Sequence, residues 1–226
     1  MTQRVRVLAG RGRYEDPWHD HAATSHRVAV LLGALPDVDV EVRSTFPDAL
    51  DDLDGPAGPD LLVVNCGRGE PGDDDAAWAP LHGTLSRWAR AGGAVLGLHQ
   101  AANTFPDAPD WQDVLGGRWI PGESMHPPFG EARVTVRPGH EVTRGLGDVD
   151  VLDERYCFLR TRPGIEVLAT VEHDGNDHPV VWAHEAHGGR TVYDGLGHDV
   201  RSYDSAGRVD LLRRSATWLL GREPQG

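Results

Sequence analysis

Short apolar runs and longer amphipathic stretches alternate through the first half of this chain. Val5 to Ala9 is a compact apolar run closed by Gly10 and Gly12. It reads as a strand buried on both faces, as in a parallel sheet. Thr24 or Ser25 can cap a helix in which Val28, Leu31, Leu32 and Leu35 recur at helical spacing until Pro36 stops it. Val38 to Ser44 alternates apolar and polar residues, the mark of a half-exposed strand, and Phe46 to Leu53 reads as a short helix. Asp60 to Asn65 is a second buried strand running into Cys66-Gly67-Arg68-Gly69. Trp78 to Ala91 carries Leu81, Leu85 and Trp88 on one helical face, and Gly92-Gly93 ends it. The strand Ala94 to Leu98 then stops abruptly and turns into a helix, with His99 at the corner. Such corners expose a reactive side chain above the sheet in several α/β enzyme folds. Here a histidine stands where a Ser or Cys nucleophile would.

After Asn103 the pattern changes. Trp111 to Leu115 reads as a helical turn before Gly116-Gly117. Strands are expected at Ala132 to Val136, Val149 to Leu159, Glu166 to Glu172 and Val180 to Ala183, the last paired with Arg190 to Tyr193 around a turn at His187-Gly188-Gly189. Val209 to Leu220 closes the chain as a helix with Leu211, Leu212 and Trp218 facing inward. No repeat, low-complexity tract or linker interrupts residues 1–226, so a single domain is expected. Alternating strands and helices predict an α/β fold with a mostly parallel sheet, helices on both faces and a strand-rich C-terminal half.

Composition narrows the partners. Twenty-two basic against thirty-five acidic residues leave a net charge of −13, which argues against a nucleic-acid or anionic-membrane partner, since both need a basic face. No apolar run follows the basic residues of the amino terminus, and no stretch reaches the length of a membrane span. Cys66 and Cys157 are far apart, so a reducing, cytoplasmic setting is expected and no disulfide is indicated. Twelve histidines are more unusual, although a bias toward Arg, Asp, Gly and His accounts for part of that number.

In a parallel sheet, the loops at the carboxyl ends of the strands converge on one edge, where ligands bind. The residues leaving those ends are His19, Asp20 and His21 after the first strand, Cys66 after the next buried one, His99 at the corner, and His198-Asp199 after Thr191 to Leu196. Imidazoles with a carboxylate can hold a divalent transition metal such as zinc, and His21, His99 and His198 are the candidate ligands. His99 and His198 can equally form an acid/base pair without metal, or bind sugar hydroxyls. The spacing of His19 and His21 matches no established zinc signature.

Cys66 is either a nucleophile beside backbone donors or a small buried filler. Cys157, inside an apolar strand, is read as structural only. Asp153 and Glu154, adjacent in a strand, point to opposite faces, so only one of them can face a pocket. Glu154 is the candidate general base or metal oxygen, with a surface pair to Arg155 as the bland alternative. Trp18, Trp111 and Trp119 sit in polar loops suited to a sugar site or a subunit contact.

The motifs combine into a resemblance. Pro17-Trp18-His19-Asp20, the runs Asp60 to Gly67, Gly93 to His99 and Gly139 to Leu146, Asp153-Glu154-Arg155-Tyr156, Pro179 to Trp182 and Leu196-Gly197-His198-Asp199 together resemble the trehalose-utilisation, ThuA-like family. That resemblance covers nearly the whole chain. It implies a flavodoxin-like sheet related to class I glutamine amidotransferases, in which the corner holds a catalytic cysteine and a histidine near the carboxyl end acts as base. With His99 at the corner and His198 near the place of the base, glutaminase chemistry is excluded, because imidazole cannot form the required thioester. The family implies sugar catabolism, with a sugar or keto-sugar as small-molecule ligand. The site then reads as His99, His198 and Glu154 in catalysis, with Trp18, His19, Asp20, Cys66 and Asp199 around the substrate. A homodimer or higher homo-oligomer is the expected assembly. The alternative is a non-catalytic sugar-binding or assembly module on the same fold.

Overall fold

Nine strands form one sheet in the order β2-β1-β3-β4-β11-β10-β9-β6-β7 in a computed structural model that describes residues 2–224. The strands are β1 (Gln3–Ala9), β2 (Val38–Ser44), β3 (Leu61–Asn65), β4 (Ala94–Leu98), β6 (Gly130–Val136), β7 (Val149–Asp153), β9 (Glu166–His173), β10 (Asn176–His184) and β11 (Thr191–Asp194). Two short strands, β5 (Gly117–Arg118) and β8 (Arg160–Thr161), pair with each other apart from the main sheet. The helices are α1 (His21–Gly33), α2 (Asp75–Arg90), α3 (Pro109–Leu115) and α4 (Ala206–Leu219). Pairing is parallel from β2 through β1, β3 and β4 to β11. From β11 outward to β7 every pairing is antiparallel. The mixed α/β architecture thus has a parallel core carrying an antiparallel wing.

Residues of the parallel strands divide between two apolar clusters because successive side chains leave a strand on opposite faces. Val5, Val7, Leu61, Val63 and Leu96 pack with Val28 and Leu32 of α1 and Leu211 and Leu212 of α4. Leu8, Leu62, Val64 and Val95 pack with Leu81 and Leu85 of α2 and Val114 and Leu115 of α3. Val149 and Val151 of β7 share the first cluster with α4, so the antiparallel wing curls back over that helix. This curl brings the end of β7 to the end of β11 although β10, β9 and β6 lie between them in the sheet.

Several expected boundaries shift for local reasons. Asp20 caps α1 by accepting the Ala23 N–H at 2.9 Å, whereas Thr24 and Ser25 lie inside the helix and accept from the Asn65 amide. Phe46 to Leu53 forms successive tight turns rather than a helix, with Ala49 N–H bonded to Phe46 O and Leu53 N–H to Leu50 O. The strand expected over Val149 to Leu159 ends at Asp153, and Cys157 only bridges Met125 beyond it. At the corner the chain makes one 3-10 turn, His99–Ala102, before α3 begins at Pro109. Trp111 is not a loop residue: it is buried in α3 and donates its indole N–H to Ala101 O at 2.8 Å.

The β10–β11 connection contains a buried acid-sensitive group. The His187 ring faces Thr191 Oγ1 at 2.9 Å through Nε2 and accepts the Gly189 N–H at Nδ1. Burial, reinforced by His184, pushes its pKa down to about 4. The unfolded chain therefore binds the extra proton first, and stability falls as pH drops from the ordinary histidine value toward 4. The loss is on the order of 2 kcal/mol once the remaining exposure is discounted. His187→Gln is expected to flatten this acid slope in urea titrations at pH 7 and pH 5. Equal slopes in both proteins would assign the acid sensitivity elsewhere.

Candidate functional site

His99 is held at the corner by its backbone and by its ring. Its φ of 40° lies in the left-handed region, a strained setting for a non-glycine residue, and Tyr193 donates its hydroxyl to the His99 carbonyl at 2.9 Å. The ring Nδ1 lies 2.9 Å from Gly195 O. A carbonyl only accepts, so Nδ1 carries the proton and Nε2 is turned toward the site. Tyr156 packs on the other side of the imidazole, with centroids 4.2 Å apart.

Glu154 comes from the β7 end. Its Oε2 lies 3.4 Å from His99 Nε2 and 3.2 Å from His198 Nδ1, and its Oε1 lies 3.5 Å from His126 Nδ1. The reading of Asp153 and Glu154 as facing opposite ways needs correction. Both turn inward, because the strand ends between them and Glu154 belongs to the loop. Asp153 accepts the backbone N–H groups of Gly197 at 2.7 Å and His198 at 3.0 Å. One carboxylate therefore ties the loop after β11 to the end of β7, and its neighbour meets the imidazole that this loop delivers.

His19 completes the group. One potential ligand atom from each of His19, His99, Glu154 and His198 lies within 4.8 Å of every other. His19 Nδ1 is 2.7 Å from Asp16 Oδ1, and the Gln100 amide packs 3.0 Å from the same nitrogen. His21, expected beside His99 and His198, falls instead into an adjoining set with Asp16 and His19. Its buried Nε2 lies 3.8 Å from Asp16 Oδ2, and its ring stacks on His19. A Cβ at Gly67 would come within 3.1 Å of both His21 Nε2 and Asp16 Oδ2, so only glycine leaves room for this pair.

The electrostatics follow from burial opposed by pairing. Burial disfavours the Glu154 anion, yet the imidazoles of His198 and His99 beside it hold its carboxyl well below the usual range. For His198 burial opposes the cation, but Glu154 outweighs it and raises the imidazole. His19 is lowered, by burial first and then by the neighbouring imidazoles, against the pull of Asp16. Asp16 is pushed down by His19 and His21 although its own burial opposes this.

A cleft of about 840 Å³ opens above the group. Trp18 (75% exposed) and Trp119 are among its lining residues, with Tyr156, His126 and Asn103. The other expected substrate contacts lie elsewhere. Asp20 is occupied as the α1 cap. Asp199 caps the following 3-10 turn and pairs with Arg201. Cys66 is fully buried, donates its thiol to Leu8 O and is raised far above a reactive value by burial, so its role is packing. Asp16, Gln100, His126 and Tyr156 were not picked out from the sequence as site residues. Asp16 and Gln100 carry a readable signal beside Pro17-Trp18 and His99 at strand ends, and Tyr156 stands in the Asp153-Glu154-Arg155-Tyr156 run; His126 carries none.

An α/β sheet with a histidine-rich group at the carboxyl ends of β1, β4 and β11 is the frame of this protein. The family model ThuA, described as trehalose utilisation, matches residues 7–219, and the chain belongs to that family. A ThuA-like protein from Parabacteroides merdae shares 18% identity over 100% of this chain and 93% of its own, with a TM-score of 0.83. One from Bacteroides uniformis shares 15% over 99% and 94%, with a TM-score of 0.76. A β-galactosidase from Bacillus circulans resembles the chain at 14% identity and TM-score 0.63, over 97% of this chain but 31% of the enzyme. At such identities the likeness is one of fold. No curated protein matches the chain. Among the described residues no helix is long and apolar enough to cross a membrane.

Proposed function

We propose that this chain is a sugar-processing enzyme whose reacting centre is the His19, His99, Glu154 and His198 group, with a divalent transition metal such as zinc as its cofactor. The observation that carries this reading is the pair of buried nitrogens, His99 Nε2 and His198 Nδ1, which converge on one carboxylate oxygen at 3.4 and 3.2 Å without a well-aligned hydrogen bond. Buried polar atoms so poorly satisfied are costly, and a bound cation would relieve that cost. Three imidazoles with one carboxylate are a donor set that suits zinc and its neighbours. Gly195 O behind His99 and Asp16 behind His19 hold the rings as outer partners do in metal sites.

Such a metal would polarise a carbonyl or activate water near neutral pH. The chain's own residues do the rest. Trp18 and Trp119 offer aromatic faces for a sugar ring, and the cleft volume admits one. His126, on the far oxygen of Glu154 and partly exposed to the cleft, is placed to take or return a proton. A keto-sugar, with its carbonyl and an acidic neighbouring proton, fits this pairing. A second reading, a non-catalytic sugar-binding module, draws on the fold forming a third of a β-galactosidase chain.

The test is elemental analysis of protein purified without an affinity tag, followed by turnover assays on sugars and keto-sugars with the metal found. One transition metal per chain with turnover supports the enzyme. Ligand binding with no turnover under any metal supports the module.

A further inference from the structure

A second, smaller pocket of about 310 Å³ adjoins the cleft, and the two share Arg68, Asn103 and Trp119 in their walls. Arg118 and Arg160 also line it, at the paired strands β5 and β8. No carboxylate lines this pocket, although acids outnumber bases thirty-five to twenty-two in the chain. Arg160 is engaged at the rim by Glu123 at 2.8 Å, and Arg68 meets Glu70 only loosely at 3.5 Å, both ends exposed. The half-buried Arg118 makes no side-chain hydrogen bond or ion pair among the described residues. Burial and the like charge of Arg68 hold its guanidinium below the ordinary value, and no acid counters them. Arg118 has no counter-ion among the described residues and Arg68 only a loose one, so bringing their charges together is unfavourable unless a ligand supplies one.

We propose that this pocket binds the phosphate group of a phosphorylated sugar whose ring lies in the adjoining cleft. Guanidinium forks match phosphate oxygens in paired hydrogen bonds. A phosphate monoester carries about two negative charges near neutral pH and a carboxylate one, and the pocket offers the unpaired Arg118 with Arg68 and Arg160 beside it. The amides of Asn103 and Gln112 add donors in the same wall. Trp119 links the two sites. It packs edge-on to Tyr156 at 4.7 Å, and Tyr156 covers the His99 ring. A sugar stacked on Trp119 would thus reach the histidine group at one end and the arginines at the other.

The inference rests on the sugar reading of the cleft, but its test separates the two. Equilibrium dialysis with radiolabelled orthophosphate and calorimetry with glucose 6-phosphate, glucose and glucuronate are run on the full chain. Arg118→Gln and Arg68→Gln are each expected to weaken orthophosphate and glucose 6-phosphate by about tenfold or more. Both variants should keep the wild-type melting temperature and metal content. His99→Ala should lose metal and keep orthophosphate affinity. Orthophosphate binding that ignores both arginines would overturn the proposal whatever the metal result. So would glucuronate binding more tightly than glucose 6-phosphate with the same arginine dependence, since that pocket would be a carboxylate site.

Discussion

His99→Ala is expected to weaken zinc binding by about 100-fold or more and to abolish turnover, while the protein stays folded. Outer partners of metal ligands alone are worth roughly 10–100-fold in affinity, so removing a ligand sets the larger effect. The substitution takes away an imidazole whose bare nitrogen is fixed by the protein, through Nδ1 on Gly195 O and Tyr193 on its backbone carbonyl. Competition with a chromophoric chelator reads the affinity, and circular dichroism reads the fold. Glu154→Gln serves as a second variant because it keeps the side-chain shape while removing the charge between His99 and His198. Unchanged zinc affinity in both variants would move the metal away from this group.

Arg208→Met is expected to cost about 3–5 kcal/mol in stability, the range seen when one partner of a buried ion pair is removed. Arg208 and Asp194 are both 0% exposed and their atoms meet at 2.8 Å, beneath the loop that carries His198. Burial raises Asp194 even with Arg208 beside it, so the isolated carboxyl would fold best protonated. A raised folded value means that the native state holds the proton where the unfolded state has lost it. Stability of the variant therefore falls as pH rises, and its deficit is smaller at pH 5 than at pH 8. In a chain of this size the midpoint should drop by roughly 6–20 °C. Adding Asp194→Asn should restore much of the loss, because no unpaired charge is left inside. A drop of a degree or two in the single variant would mean that water reaches the pair.

Much of the architecture can be read along the chain. Runs such as Leu61–Asn65 and Ala94–Leu98 are apolar at every position because both faces of a parallel strand are covered, and that pattern needs no tertiary information. The segment Phe46 to Leu53 misleads, since Ala49, Leu50 and Leu53 are buried as they would be on a helix while the backbone only turns. Here Arg6 and Arg43 converge on Asp52, and those long-range pairs outweigh a weak local preference. Asp20 was picked out as a ligand contact when it is a helix cap, because the same carboxylate chemistry serves both roles.

Periodicity along the chain predicts the buried parallel strands, the amphipathic helices and the histidine corner, since each depends on residues that are neighbours in sequence. The sequence also marked His99 and His198 as members of one site, because parallel strands deliver their carboxyl ends to one edge whatever their order. The family resemblance proposes Glu154 as their companion, but that its carboxylate meets both imidazoles follows only from the fold. β7 lies at the far side of the antiparallel wing, and nothing in its local pattern says that the wing curls until Asp153 meets the Gly197 and His198 backbone. The same holds for the choice of His19 over His21, neighbours in sequence whose roles depend on which way the loop turns at Asp16. The arginine pocket is the clearest instance. Arg68, Arg118 and Arg160 are scattered along the chain, and folding alone places their charges in one wall.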